Sequence, residues 1–177
     1  MAGDERIRLF CGLRLPDETV ALVAEWQARE LRGGRIVAPD HLHLTLAFLG
    51  SRPADELPAI AAALGDAAAL GAGIRLHVRG YRETRSVGML TFADDGGRAT
   101  AVAERLQERL EELGVYRREA RPWLPHLTVL RFRERPRLAP PLPDLGEVVP
   151  SDAAVFISRL RPGGAVYEAL ETVALGG

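Results

Sequence analysis

Two short segments of this chain repeat one pattern, and the pattern admits little besides β-structure. Residues 41–50 read HLHLTLAFLG and residues 125–132 read PHLTVLRF. Each holds a His and a Thr two positions apart, alternating with apolar residues: His43-Leu44-Thr45-Leu46 and His126-Leu127-Thr128-Val129. Successive side chains of a strand point to opposite faces. His43 and Thr45 therefore share one face, with Leu42, Leu44 and Leu46 on the other. His126 and Thr128 likewise share a face, opposite Leu127 and Val129. The chain has four histidines, His41, His43, His77 and His126. Chance would place a Thr two residues after one of them about 0.2 times; it happens twice.

Two imidazoles aimed into one groove make an acid–base pair, and two hydroxyls beside them can donate hydrogen bonds to an anion. Other chemistries are excluded by what is missing. All 23 cationic residues are Arg, and there is no Lys. A Schiff-base enzyme, a Walker-type phosphate loop and a ligase adenylated on Lys each need one. Cys11 is the only cysteine, so neither an internal disulfide nor a thiolate-rich metal site can form. It alternates with Ile7, Leu9 and Leu13 and reads as a small core residue. The formal net charge of −1 gives no global basic field for long nucleic acid. No signal peptide and no long apolar run is evident, so a cytoplasmic location is expected.

The remaining pattern mixes strands and helices. Residues 7–13 alternate as a strand. A helix is expected from Asp17, as N-cap, to Arg32, closed by Gly33-Gly34, with Val20, Val23, Ala24 and Leu31 buried. Gly50 to Pro53 reads as a break. A second helix follows over about 54–70, then strands over 74–79 and 86–92. The third helix, about 98–113, carries the stripe Val102, Leu106, Leu110 and Leu113, and Gly114 stops it. After the second motif strand, about 126–132, the segment 133–150 is rich in Pro and Arg and reads as a long surface loop. The strands VFISRL and AVYEAL, joined at Pro162-Gly163-Gly164, make a terminal hairpin. The class is α+β with mostly antiparallel pairing, in one domain over 1–177.

With these residues in view, the chain resembles the two-histidine (2H) phosphoesterase superfamily, and within it the RNA 2′,3′-cyclic phosphodiesterases, or 2′-5′ RNA ligase-like proteins. The likeness rests on Arg8-Leu9-Phe10 in the opening strand, Leu15-Pro16, the HLTLAFLG segment, and Pro125, His126, Thr128 and Arg131 in the second motif. It implies two pseudo-symmetric lobes, each a small antiparallel sheet backed by helices, with the motif strands side by side in a central cleft. It also implies hydrolysis of a cyclic phosphate at an RNA end or on a small nucleotide, leaving a 2′-phosphate. Neither metal nor cofactor is implied. His43 would be the proton donor and His126 the proton acceptor.

In that chemistry Thr45 and Thr128 would bind the non-bridging oxygens of the transition state. Arg131 would clamp the phosphate, since a guanidinium matches its oxygens. Strict alternation puts Arg131 on the face opposite His126, so the strand must end or bulge there. By the same resemblance Phe10 would stack on a nucleobase. His41 is expected at the rim, His77 in solvent, and Trp123 in the core. A 2′-5′ linked oligonucleotide or a cyclic phosphate of ADP-ribose would suit the same site. The contrasting reading is an RNA-end binding protein with incidental 2′-5′ ligase activity. A monomer is expected.

Overall fold

The structure, a computed structural model, describes residues 4–176; the ends of the unit expected over 1–177 lie outside the described residues. The order is β1 (Arg6–Arg14), α1 (Asp17–Glu30), β2 (Arg35–Ile36), β3 (His43–Pro53), α2 (Leu57–Ala68), β4 (Arg75–Glu83), β5 (Val87–Asp95), α3 (Arg98–Glu112), β6 (His126–Arg131), β7 (Asp152–Arg161) and β8 (Gly164–Val173). The strands form one hydrogen-bonded sheet in the order β4-β5-β6-β3-β1-β7-β8, with β2 on β6. Every registered pair is antiparallel. The α+β expectation holds. The two motif strands, β3 and β6, are neighbours at the middle of the sheet, joined where Leu44 opposes Leu127. One half of the sheet lies on either side of that seam, β1, β7 and β8 beyond β3 and β4 and β5 beyond β6.

Alternation in the motif strands buries Leu44, Leu46, Leu127 and Val129 completely or nearly so. They join Leu9, Cys11 and Leu13 of β1 and the apolar faces of all three helices in one core cluster. Each such Leu contributes roughly 1.5–3 kcal/mol through burial, so the face bearing the histidines is held by what lies behind it. Cys11 is buried as expected, and burial pushes its thiol up to about 12.

Helix boundaries differ from the sequence expectation for local reasons. Pro16, not Asp17, occupies the N-cap of α1, and Asp17 lies in the first turn, where an acid suits the helix dipole. The helix ends at Glu30 because Leu31 is already extended. Of the expected stripe, Val23 and Leu31 are buried and Val20 packs partly buried on the core, while Ala24 is half-buried; Thr19, Trp26 and Gln27 complete the buried face. A 3-10 turn, residues 54–56, precedes α2, which therefore starts at Leu57. In α3 the expected stripe is buried through Leu110, whereas Leu113 lies past the helix end and is largely exposed.

Residues 51–53 do not break the chain. They extend β3, pairing with Arg8, Ile7 and Arg6. The 133–150 segment is irregular, as expected, and is tied down at several points, one of them a bridge in which Val148 and Leu76 exchange backbone hydrogen bonds. Glu83 accepts hydrogen bonds from the backbone N–H groups of Arg137 and Leu138, and Trp26 donates to the Pro141 carbonyl. Among the described residues no helix is long and apolar enough to cross a membrane.

Candidate active site

Each motif strand carries an extra residue at the same place, and β3 has a second one farther on, at Leu49. Along β5, Gly88 opposes Leu130 and Met89 opposes Thr128, so Val129 is left without a counterpart. Along β1, Cys11 opposes Ala47 and Gly12 opposes Thr45, so Leu46 is the extra residue. A bulge reverses the alternation beyond it. Consecutive residues are accordingly buried at both places, Leu46 with Ala47 and Val129 with Leu130. The fifth residue after each His then turns to the His/Thr face. It is Phe48 in β3 and Arg131 in β6, and both line the cleft. The facing conflict at Arg131 is thus resolved by a bulge, and Phe48 is a cleft residue the sequence reading did not single out.

A bulge leaves a carbonyl outside the regular ladder, and a buried carbonyl needs a donor. Two buried glutamines supply it. Gln27 of α1 donates through Nε2 to the Val129 carbonyl at 2.9 Å and to the Val37 carbonyl at 3.0 Å. Gln107 of α3 donates to the Leu46 carbonyl at 3.0 Å. The backbone N–H of Val37 also reaches the Val129 carbonyl, which seats the 35–37 segment against β6. The bulges at Leu46 and Val129 are therefore each held by a glutamine from a different helix.

The imidazoles are oriented by backbone carbonyls. Nδ1 of His43 lies 2.8 Å from the His41 carbonyl oxygen, and Nδ1 of His126 lies 3.0 Å from that of Leu124. A carbonyl only accepts, so each Nδ1 carries a proton, and in the neutral ring Nε2 is the free nitrogen. Nε2 of His43 accepts from the Thr45 hydroxyl at 2.9 Å. Trp123 donates from its indole to the Thr45 carbonyl, so this ring anchors β3 beneath the site.

His43 sits in an aromatic nest. Its ring centroid is 4.8 Å from Phe10, 5.7 Å from Tyr167 and 5.8 Å from Phe156. Desolvation there lowers the His43 pKa to about 4. The bond to the His41 carbonyl raises it, and the charges of His41, Arg131 and His126 lower it further. Gly12 underlies the ring: a Cβ added at Gly12 would stand 3.0 Å from the Leu44 carbonyl oxygen and 3.2 Å from Cδ2 of His43.

The cleft has a volume of about 530 Å³ and takes in His43, His126, Thr45, Thr128 and Arg131 together. Among the described residues no Asp or Glu lines it. Phe10 reaches it as well but is only 3% exposed, its ring packed on Phe156 at 4.9 Å and Tyr167 at 5.0 Å. It is a support for His43 with little free face; Tyr167 and the 54%-exposed Phe48 are more open. His41 stacks on Tyr167 at 4.2 Å besides orienting His43. His77 lies on β4, paired with Asp95 and apart from the cleft.

The sequence model of the 2'-5' RNA ligase superfamily matches residues 15–161. The chain belongs to that superfamily. The RNA 2',3'-cyclic phosphodiesterase of Thermus thermophilus is 37% identical to it, over 97% of this chain and 91% of that protein. The Escherichia coli protein of the same name is 28% identical, over 95% and 96%. The crystal structure of E. coli LigT complexed with NADP+ superposes with a TM-score of 0.83 at 29% identity, covering 98% of this chain and all of that one. The superfamily match thus spans both motif strands, and the likeness to the Thermus protein extends over 97% of the chain.

Proposed function

We propose that this chain is an RNA 2′,3′-cyclic phosphodiesterase. It acts as one bilobal unit and opens the cyclic phosphate of an RNA end or a nucleoside to a 2′-phosphate, with no metal ion. The observation that carries this reading is the pair of imidazoles on adjacent strands. Both are oriented through Nδ1, and they share a cleft with the hydroxyls of Thr45 and Thr128 and with Arg35 and Arg131, and among the described residues no Asp or Glu lines it.

In the reaction His126 takes a proton from water through Nε2 as the water oxygen attacks phosphorus. The bond from phosphorus to O3′ breaks, and His43 delivers a proton from Nε2 to O3′. The products are a 2′-phosphomonoester and a free 3′-hydroxyl. Thr128 and Arg131 hold the non-bridging oxygens, where charge gathers in the transition state. Thr45 joins them once His43 is protonated and no longer needs its hydroxyl proton.

His43 as donor carries a condition. Burial keeps it neutral in the empty site, so its proton must arrive with substrate. An anionic phosphodiester beside Nε2 supplies the opposite charge that favours imidazolium. The pH–rate profile is bell-shaped and belongs to the pair, so it does not tell the donor from the acceptor.

The test is hydrolysis of the four nucleoside 2′,3′-cyclic monophosphates in EDTA, with products separated against 2′- and 3′-monophosphate standards. Only 2′-phosphate is expected, and none from His43→Ala or His126→Ala. A substrate with sulfur in place of O3′ has a leaving group that needs no proton. It should restore turnover to His43→Ala alone; restoration of His126→Ala instead would exchange the two roles. Inertness toward all cyclic phosphates would refute the reading and leave 2′-5′ linkages, ADP-ribose derivatives or RNA-end binding.

A further inference from the structure

The cleft continues past the histidines into a hollow of about 450 Å³, and the two share Arg35 and Arg131. Arg133 also lines the hollow, and among the described residues no Asp or Glu does. In a chain of net charge −1, this concentration of guanidinium groups is local.

The backbone enforces it. Arg35 lies directly opposite Arg131 in the antiparallel β2–β6 ladder. Such partners have Cβ atoms about 4.5–5.5 Å apart, and like charges there are destabilising. The segment cannot relax outward. Gln27 and Val37 tie it to β6, and at Gly34 it runs so close that a Cβ would overlap the Arg131 carbonyl. Among the described residues Arg35, Arg131 and Arg133 have no carboxylate partner, whereas nearby Arg135 is paired with Glu83. Opposed cations held without a counter-charge are what an anionic ligand would relieve.

The position says which anion. Arg131 is five residues along β6 from His126, about 16 Å of strand, so only the tip of its side chain returns to the reacting phosphate. Arg133 lies farther out, beyond the end of the strand. A nucleoside 2′,3′-cyclic monophosphate has nothing to place there. An RNA end does, namely the phosphodiester on the 5′ side of its terminal nucleoside.

We infer that the hollow is a second phosphate subsite. Arg35 and Arg133 bind the internucleotide phosphate preceding the cyclic end, so an RNA strand is turned over more efficiently than a free cyclic mononucleotide. This rests on the phosphodiesterase reading above.

The experiment compares three substrates in EDTA: a nucleoside 2′,3′-cyclic monophosphate, a dinucleotide with the same cyclic end, and that dinucleotide with an uncharged methylphosphonate linkage. The charged dinucleotide is expected to have kcat/KM about tenfold above the other two. The double variant Arg35→Ala/Arg133→Ala should bring that ratio close to one. Equal kcat/KM for the charged and uncharged linkages in the unmodified protein overturns the subsite, and this arm needs no variant to fold. A loss in the double variant that is proportional across all three substrates also overturns it, since the arginines would then serve only the reacting phosphate. Hydrolysis of none of the three removes the phosphodiesterase reading itself.

Discussion

Replacing His43 by Gln should flatten the acid limb of the protein's stability curve. An imidazole in the unfolded chain titrates near 6.5, whereas burial holds that of folded His43 at about 4. Between those values the unfolded chain binds a proton that the folded protein refuses. Stability therefore rises with pH across that window. The contribution is fully present above 6.5 and is lost as pH falls toward 4. At 1.36 kcal/mol per pH unit the whole effect is roughly 3 kcal/mol, of which about 2 kcal/mol falls between pH 7 and pH 4.5. Carboxylates held low by arginine partners or hydrogen bonds, such as Glu56 and Glu83, also lose stabilisation in acid. The measurement is therefore a difference: urea unfolding of both proteins, followed by circular dichroism, at about pH 7 and about pH 4.5. The unmodified protein should lose about 2 kcal/mol more than His43→Gln. Equal losses would mean that His43 is not desolvated, and the claim that its proton enters with the substrate would fall. A bound 2′-nucleotide should move the His43 ring resonances to a higher titration midpoint, read by NMR.

Three further outcomes follow from the geometry. Gln27→Met leaves the Val37 carbonyl without a partner, and the Val129 carbonyl only that of Val37. It should cost about 1–3 kcal/mol in urea unfolding and, by loosening the bulge, raise KM more than it lowers kcat. Gly12→Ala forces the His43 ring or the Leu44 carbonyl to give by a few tenths of an ångström. Since a misplacement of 1 Å can cost about a hundredfold, kcat on a cyclic nucleotide should fall about three- to tenfold; unchanged kcat would show that the ring has slack. Glu83→Ala strips the acceptor shared by Tyr81, Arg137 and Leu138. The melting temperature should fall, with about 1–3 kcal/mol lost, while activity per folded molecule stays within a factor of two or so because Glu83 does not line the cleft.

Alternation by itself determined the essential facts of the site. A period of two put His43 with Thr45 and His126 with Thr128, turned Leu44 and Leu127 inward, and needed no knowledge of any partner strand. Helical spacing marked the stripe of α3 through Leu110 just as locally, and alternation with a Pro-Gly-Gly turn marked the terminal hairpin; together they gave the α+β class. Alternation could not decide what lies beyond Leu46 and Val129, because a bulge is a relation between two strands. Only the register against β1 and β5 shows the extra residue that turns Phe48 and Arg131 into the cleft. Gln27 and Gln107 were invisible for the same reason. Each serves a carbonyl in another element, 102 and 61 positions away along the chain. Gly12, read as one more strand residue, is required by a ring on the neighbouring strand. The opposition of Arg35 to Arg131 arises from a two-residue strand too short to leave a period. Side-chain facing within a strand is a local property of the backbone. The registration of strands, the satisfaction of displaced carbonyls and the gathering of like charges depend on distant segments meeting, and only the tertiary structure brings them together.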